Sequence, residues 1–285
     1  MSLTADVSGS GKSGRSQDIN GDVVAALLAG RKVARPQGYD ARMLAQLGVQ
    51  ADEKQIWLGA DVEPLVELAV RDGLSSVARR RWPDFRIVMM SGSTNADLMG
   101  LGWDAVGRGL TTEYQSAGRG RRGRSWLSPI GRNIAVSLCI AKAGELSGMA
   151  GLSLVVGMAV ADALRTLGLD EVALKWPNDL IVMHSSGQYS KLGGILVELQ
   201  HHAGSSAEPE SDERTLAVIG VGLNLGGAQA IESGVDLSLA DISLMRPDLS
   251  RQTVLVAIVN ALADYIDHWD QSGFDGMTAV YNELH

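Results

Sequence analysis

Cysteine is almost missing from this 285-residue chain: Cys139 stands alone, inside an apolar run. One thiol per chain excludes an intrachain disulfide framework and a cysteine-based zinc cluster, and it suits a reducing compartment. Long hydrophobic runs are missing too. The N-terminal stretch MSLTADVSGSGKSGRSQD has no apolar segment and does not read as a secretory signal. The longest apolar run, near Leu152–Leu164, is broken by Asp162 and is too short to span a bilayer. Positive charge is in deficit, with 25 Lys and Arg against 33 Asp and Glu and a formal net charge of −8. That balance argues against a protein built mainly around nucleic acid, although a local basic site stays open. No internal repeat is visible. The expectation is a cytoplasmic protein with no membrane partner.

Hydrophobic residues make up 45% of the chain, enough for a packed core in one large or two modest domains. Residues 1–20 are rich in Ser and Gly and are expected to form a disordered tail. Residues 21–81 read as a mainly helical region, with Val23, Val24, Leu27 and Leu28 on one face and Leu65, Leu68 and Ala69 on another. The pattern changes at Phe85. Strands are expected at Phe85–Met90, Thr111–Tyr114, Asn133–Ile140, Val172–Lys175, Leu180–Met183, Gly194–Glu198 and Leu216–Gly220. Helices are expected to start at Ser93-Thr94-Asn95 and to cover Leu152–Leu167 and Arg251–Trp269. Residues 201–213 read as a polar connector. Strand pairs arrive without regular helix alternation, so the expected class is α+β: a mixed or antiparallel sheet with helices on one face.

The densest chemistry lies in Gly118-Arg119-Gly120-Arg121-Arg122-Gly123-Arg124, four arginines and three glycines in seven residues. Glycines let the backbone turn tightly and approach a ligand. Clustered guanidinium groups repel one another and are satisfied by phosphate or carboxylate oxygens. A solvated basic loop or a nucleic-acid patch would look the same by composition. The segment also spells G-x-G-x-x-G, but Pro129 follows where a dinucleotide-binding fold needs a helix interior. Gly9-Ser10-Gly11-Lys12-Ser13 imitates a phosphate loop, yet Asp6 stands where its first glycine belongs and no strand precedes it. Lys175-Trp176-Pro177-Asn178-Asp179 reads as a turn between two strands that aims polar groups into a cleft, or as an ordinary Pro-Asn-Asp turn. Lys191-Leu192-Gly193-Gly194 puts a cation before two glycines and a buried strand, and Gly220-Val221-Gly222-Leu223-Asn224 is another glycine-spaced strand end. His201-His202 lies in the polar connector with no i,i+4 partner and reads as solvated, not metal-binding.

Taken in order, Ser93-Thr94-Asn95, Glu113-Tyr114-Gln115 leading into GRGRRGRSW, KWPND, KLGGIL and GVGLN closely resemble the catalytic domain of bacterial biotin protein ligases. The resemblance covers roughly Phe85 to Leu284, and GRGRRGR followed by KWPND is its specific part; the related lipoate ligases share the fold without that loop. It implies a class II aminoacyl-tRNA-synthetase-like catalytic domain over 85–285. The activity it implies is ATP-dependent: biotin becomes biotinyl-5′-AMP and passes to a lysine of the biotin carboxyl carrier protein domain of acetyl-CoA carboxylase. Ser93, Thr94, Asn95 and Gln115 would line the biotin pocket. Arg119, Gly120 and Arg121 would meet biotin and the phosphates, and Gly118, Arg122 and Arg124 would complete the adenylate loop. Lys191 would hold the biotin carboxylate and the α-phosphate; with Arg119 and Arg121 it makes up the expected catalytic set. Trp126 would pack near the adenine, Asn178 and Asp179 would lie near the nucleotide, and Asn224 near the base. No firm metal site is expected beyond Mg2+ carried with ATP near Asp179.

Some relatives also carry an N-terminal winged helix-turn-helix, bind DNA as biotin-operon repressors and dimerise. Residues 21–81 begin similarly, so a degenerate winged helix is expected there, although the stretch is short and not basic. The family's small C-terminal β-barrel is expected to be absent, since the sequence ends at His285 where it would begin. The competing functions are a biotin-responsive DNA-binding repressor and a lipoate-type acyl-carrier ligase.

Overall fold

The sequence of β6 shows how the sheet divides the molecule. In a strand, successive side chains point to opposite faces. Ile134, Val136, Leu138 and Ile140 enter the main core, while the alternate Cys139 joins a small second cluster and Ser137 hydrogen-bonds to Thr94 and Asn95. Strand β10 repeats the pattern, with Ala217, Ile219, Val221 and Leu223 in the main core and Leu216 and Val218 on the opposite side.

A computed structural model describes residues 19–205, 208–228, 238–274 and 277. The strands are β1 (Val33–Ala34), β2 (Gln50–Ala51), β3 (Gln55–Trp57), β4 (Asp84–Val88), β5 (Arg108–Thr112), β6 (Ile134–Ala143), β7 (Val172–Lys175), β8 (Asp179–Met183), β9 (Tyr189–Ser205) and β10 (Glu208–Leu223). The helices are α1 (Gly21–Leu28), α2 (Ala41–Gln46), α3 (Glu67–Gly73), α4 (Ser76–Arg81), α5 (Thr94–Leu101), α6 (Leu152–Thr166), α7 (Ile242–Met245) and α8 (Arg251–Ser272). Seven strands form one mixed sheet in the order β4-β5-β6-β10-β9-β8-β7, parallel between β4 and β5 and antiparallel elsewhere. The fold is therefore α+β, as the strand pattern suggests.

The large helices cover one face. α6 packs against β7, β8, β9 and α8, and Val155, Val156, Met158, Ala159, Val160 and Leu164 are all buried. By length and composition Leu146–Thr166 passes as a membrane span, but its helical part is the core helix of this layer. Helices α3 and α4 pack on α8; Asn260 accepts from the Ser75 backbone N–H at 2.7 Å, and Arg81 pairs with Asp267 and Asp270. The opposite face carries α5 and a 3-10 turn at Gly102–Ala105, whose Leu98 and Ala105 pack on Cys139, Leu216 and Val218. The helical cover is thus concentrated on one face, with one short helix left on the other, and the functional cleft opens beside that helix. Ser93 caps α5 at the Ala96 N–H, in keeping with the helix start expected there.

Two expectations change. Of the polar connector expected at 201–213, residues 201–205 lie in β9 and 208–213 in β10, and 206–207 lie outside the described residues; apolar pairing such as Ile219 with Val197 sets the register, and the ladder then carries polar residues outward with it. His201 and His202 are accordingly strand residues. His201 contacts Glu213 and Thr215 at 3.2 Å, and His202 stacks edge-on against Trp103.

The region before α3 is less helical than its periodicity implies. It holds α1, α2 and a three-stranded antiparallel sheet in the order β1-β3-β2, around Val24, Leu27, Leu44, Leu47 and Ile56. Strands of two or three residues leave too short a period-2 signal to read. Ile19 is buried in this core and Asn20 caps α1, so these two residues do not belong to a disordered tail; residues 1–18 of that expectation lie outside the described residues. The unit is docked on the larger one: Ile130 sits in its core, the Ile130 N–H donates to Leu47 O at 2.9 Å, and Arg132 clasps Asp61 at 2.5 Å. That guanidinium holds the Asp61 carboxyl below the usual carboxylate range.

Candidate active site

Three strands supply the floor. On the face of β6, β10 and β9 away from the large helices, the register aligns Ala135, Gly222 and Gly194 in one row and Ser137, Gly220 and Leu196 in the next. A side chain at Gly220 would collide with Asn95 Oδ1, and a Cβ at Gly222 would lie 2.6 Å from the Trp126 ring. The glycines therefore leave room for the N-terminus of α5 and for the indole to close over the sheet. Above this floor lies a cavity of about 410 Å³.

The arginine–glycine loop forms one wall. It is a small hairpin, closed by Trp126 N–H to Gly118 O and Gly120 N–H to Arg124 O, both at 2.8 Å. A Cβ on Gly118 would lie 2.9 Å from Gln115 Nε2 and closer still to the Trp126 carbonyl, so only glycine fits. Arg122 takes φ +57°, the only left-handed non-glycine among the described residues. That conformation costs roughly 1–2 kcal/mol in an L-residue, and such strain concentrates at binding loops. KWPND forms the opposite wall, as the turn between β7 and β8 with a cis Trp176–Pro177 bond.

Three of the cations lining the cavity are held by protein oxygens. Lys191 Nζ lies 2.6 Å from Asp179 Oδ1, Arg121 Nη1 donates to Asn178 Oδ1 at 3.0 Å, and Arg119 Nη2 lies 3.2 Å from Glu198 Oε1. Asn178 in turn donates to the Ile195 carbonyl at 2.9 Å, tying this wall to β9. The Trp126 indole N–H is buried without a partner among the described residues, and Lys191 Nζ lies 6.0 Å from the centre of that ring.

Thirteen of the fifteen expected site residues line this single cavity: Ser93, Thr94, Asn95, Gln115, Arg119, Gly120, Arg121, Arg122, Arg124, Trp126, Asn178, Asp179 and Lys191. Gly118 supports the loop from below. Asn224 is buried behind the cavity, donating to the Lys191 carbonyl at 3.4 Å and facing Asn133 at 3.3 Å, so the structure places it as a brace for the Lys191 backbone. Sequence reasoning missed Ser137, the floor glycines as a matched set, and Glu198. Ser137 has a visible signal, as the one polar residue inside the apolar run Ile134–Ile140. Cys139, on the same face, has its thiol pushed up to about 12 by burial and offers no nucleophile.

Residues 105–224, which carry this floor and both walls, match the model of the biotin/lipoate A/B protein ligase family. The chain carries a domain of that family. It is 37% identical over 193 residues to the bifunctional ligase/repressor BirA of Escherichia coli, covering 67% of this chain and 56% of that protein. It is 35% identical over 195 residues to a biotin–[acetyl-CoA-carboxylase] ligase of Mycobacterium tuberculosis, covering 66% of each. The chain thus spans from about half to just under two thirds of the length of these curated relatives. Among solved structures, the Aquifex aeolicus biotin protein ligase in complex with biotin and ATP superposes with a TM-score of 0.55 at 22% identity, over 70% of this chain and 77% of that one. A Leishmania major biotin protein ligase in complex with biotinyl-5-AMP gives 0.52 at 23%, over 71% and 81%. These neighbours show that the chain shares their α+β fold. Within the family, the two-walled cavity with its arginine–glycine loop is the candidate active site of this member.

Proposed function

We propose that the chain is an ATP-dependent biotin protein ligase, which makes biotinyl-5′-AMP and passes the biotin to a lysine of a biotin carboxyl carrier domain. One observation carries this reading: a buried polar floor of Thr94, Asn95, Gln115 and Ser137 continues directly into a rim holding Arg119, Arg121, Arg122, Arg124 and Lys191. The floor suits an uncharged polar ring and the rim suits a carboxylate beside phosphates. In the first step a biotin carboxylate oxygen bonds to the α-phosphorus of ATP, the α–β phosphoanhydride bond breaks, and pyrophosphate leaves. Two anions must meet, so cations already positioned around the reacting atoms lower the barrier. In the second step the acceptor amine bonds to the acyl carbon and AMP leaves.

Mg2+ accompanies ATP in such chemistry and takes one or two carboxylates besides phosphate oxygens. Asp179 is the one carboxylate lining the cavity among the described residues and would hold the ion, which would supply positive charge to offset that of the phosphates. A cytoplasmic setting fits this substrate set. Biotin-dependent ATP–pyrophosphate exchange, followed by transfer of labelled biotin to a purified carrier domain, tests the reading. Exchange supported by lipoate and not by biotin would move the chain to the lipoate branch, and no exchange with either would overturn the ligase assignment.

The N-terminal unit suits a degenerate winged helix, since its sheet order is β1-β3-β2 with a helix between β1 and β2. A helix-turn-helix reader needs two helices joined by a short turn, and α2 is a single helix of six residues followed at once by β2. That geometry favours the enzyme over the DNA-binding repressor.

Arg121 carries a prediction of its own. Its guanidinium bonds to Asn178, bridging the two walls across the cavity mouth. Arg121→Ala is expected to weaken retention of biotinyl-adenylate by about 1.5–3 kcal/mol, the scale of one hydrogen bond to a charged group. Release of the adenylate into a quench solution reads this directly, and wild-type retention would remove Arg121 from the binding set.

A further inference from the structure

From the cavity floor a chain of hydrogen bonds runs back to Glu198, outside the cavity, and it decides which floor groups donate and which accept. Thr94 Oγ1 and Ser137 Oγ are 2.7 Å apart, and Ser137 Oγ lies 2.6 Å from Asn95 Oδ1. Asn95 Nδ2 donates to Glu198 Oε2 at 3.0 Å and to Leu196 O at 3.2 Å. The other oxygen of Glu198 meets Arg119 at 3.2 Å. Thr94, Asn95 and Ser137 are all buried.

The proton direction follows from the Glu198 end. A carboxylate and a backbone carbonyl only accept hydrogen bonds. The carboxamide group of Asn95 that faces both must be its NH2, and its oxygen must then face Ser137. Ser137 has one hydroxyl proton, and that oxygen takes it. Ser137 therefore has only lone pairs left for Thr94, and the 2.7 Å contact between the hydroxyls requires Thr94 to be the donor. Gln115 Oε1, 3.2 Å from Thr94 Oγ1, accepts instead from the Thr94 backbone N–H at 2.9 Å. With its proton committed to Ser137, Thr94 offers the cavity lone pairs alone.

The geometry points to Glu198, which does not line the cavity, as the residue that makes the floor an acceptor of hydrogen bonds and so selects ligands whose ring carries N–H donors. This rests on the biotin reading and deepens it: the urea ring of biotin has such donors and the dithiolane of lipoate has none. Glu198 is a positioning residue, acting through Asn95 and Ser137. Its second bond, to Arg119, ties the same carboxylate to the loop that closes over the ligand.

The test uses the full chain and three variants. Glu198→Gln keeps the shape but can turn either its oxygen or its NH2 toward Asn95, so the Leu196 carbonyl is left as the one obligate acceptor holding the Asn95 NH2, and the fraction of molecules in which Asn95 reverses returns Thr94 to donating. Ser137→Ala cuts the chain without touching charge. Glu198→Asp retains a carboxylate. Biotin binding is read by isothermal titration, lipoate as a competitor in the exchange assay, and folding by thermal unfolding. Glu198→Gln and Ser137→Ala are expected to bind biotin about 10- to 100-fold more weakly, the cost of mispairing a buried hydrogen bond. Lipoate should change less than about threefold, since it makes no such bond. The kinetic loss should fall on the biotin KM more than on kcat, and Glu198→Asp should recover part of it. Unchanged biotin affinity in both folded variants would overturn the inference, as would an equal proportional loss for lipoate, which would assign Glu198 to pocket shape alone. A wild-type chain that does not bind biotin would instead overturn the ligase reading, and that control is separate from the variants.

Discussion

Lys191→Gln is expected to slow biotin-dependent pyrophosphate exchange by about two to three orders of magnitude, comparable with losing one preorganised donor at a developing charge. Lys191 lies in β9, where Ile181 pairs with it on one side and Leu239 bridges it on the other. Its backbone is thus fixed between two neighbours, and Asn224 holds its carbonyl. The amine is the only lysine nitrogen in the described cavity that reaches Asp179, at 2.6 Å, and it lies 6.0 Å from the centre of the Trp126 ring. A carboxylate and an α-phosphate entering this corner would compete with Asp179 for the cation, which a glutamine amide cannot replace in charge. Folding should suffer little. The side chains of Lys191 and Asp179 are 22% and 29% exposed, and such partly solvated pairs contribute about 1 kcal/mol or less. Exchange at the wild-type rate in Lys191→Gln would reduce the lysine to a structural partner of Asp179.

That prediction depends on a site that was legible in large part because its chemistry is written in short, contiguous words. Four arginines between glycines, and a proline followed by Asn and Asp, mark a loop and a turn whatever the fold around them. The floor of the same cavity is spread over β6, β9 and β10, and its logic lies in the register. Nothing local distinguishes Gly220 and Gly222 from hairpin glycines until Ser137 and Ala135 stand opposite them. Glu198 was hidden for the same reason: alternation along β9 reads it as an outward polar residue, and only α5, folded against that face, turns outward into the underside of a site. Asn224 shows the converse: its place in a motif says nothing of depth, and the side chain is buried behind the cavity and not in its lining.

The elements of the fold divide similarly. β7 and α6 fall within a residue of their expected bounds, because an unbroken apolar run between turn residues is a strong local signal. β5 is displaced toward the N-terminus, to Arg108–Thr112, since Gly109 must pack directly beneath Phe85 and Leu138, a tertiary demand that strand propensity does not register. The long β9–β10 hairpin continues well past its apolar portion because pairing, once in register, propagates through polar residues. The small sheet of the N-terminal unit is stabilised by docking around Ile130 more than by its own strands of two or three residues, so its own sequence does not announce it.

Glu113→Gln is expected to destabilise the chain by about 3–5 kcal/mol, the scale for removing one partner of a buried ion pair. The Glu113 side chain is fully buried and that of Arg251 is 4% exposed. One Glu113 oxygen meets Arg251, and the other accepts from the Leu65 N–H at 2.6 Å. The Glu113 carbonyl accepts from the Gly131 N–H at 2.9 Å, so this residue joins β5, α8, the segment leading into α3 and the end of the ligand loop. Arg251 depends heavily on it. Its Nε and Nη1 are buried without partners among the described residues, and it occupies the first turn of α8, where the helix dipole disfavours a cation. A glutamine could still accept from Leu65 but would leave that charge uncompensated. Urea unfolding should show a lower midpoint with the same slope, since the surface exposed on unfolding does not change. The double variant Glu113→Gln with Arg251→Met removes the stranded charge and is expected to be more stable than Glu113→Gln alone, because apolar replacement of a buried pair is often neutral. A single substitution costing under about 1 kcal/mol would place the pair with weak surface bridges. A double variant as unstable as the sum of its singles would show that the two side chains act independently.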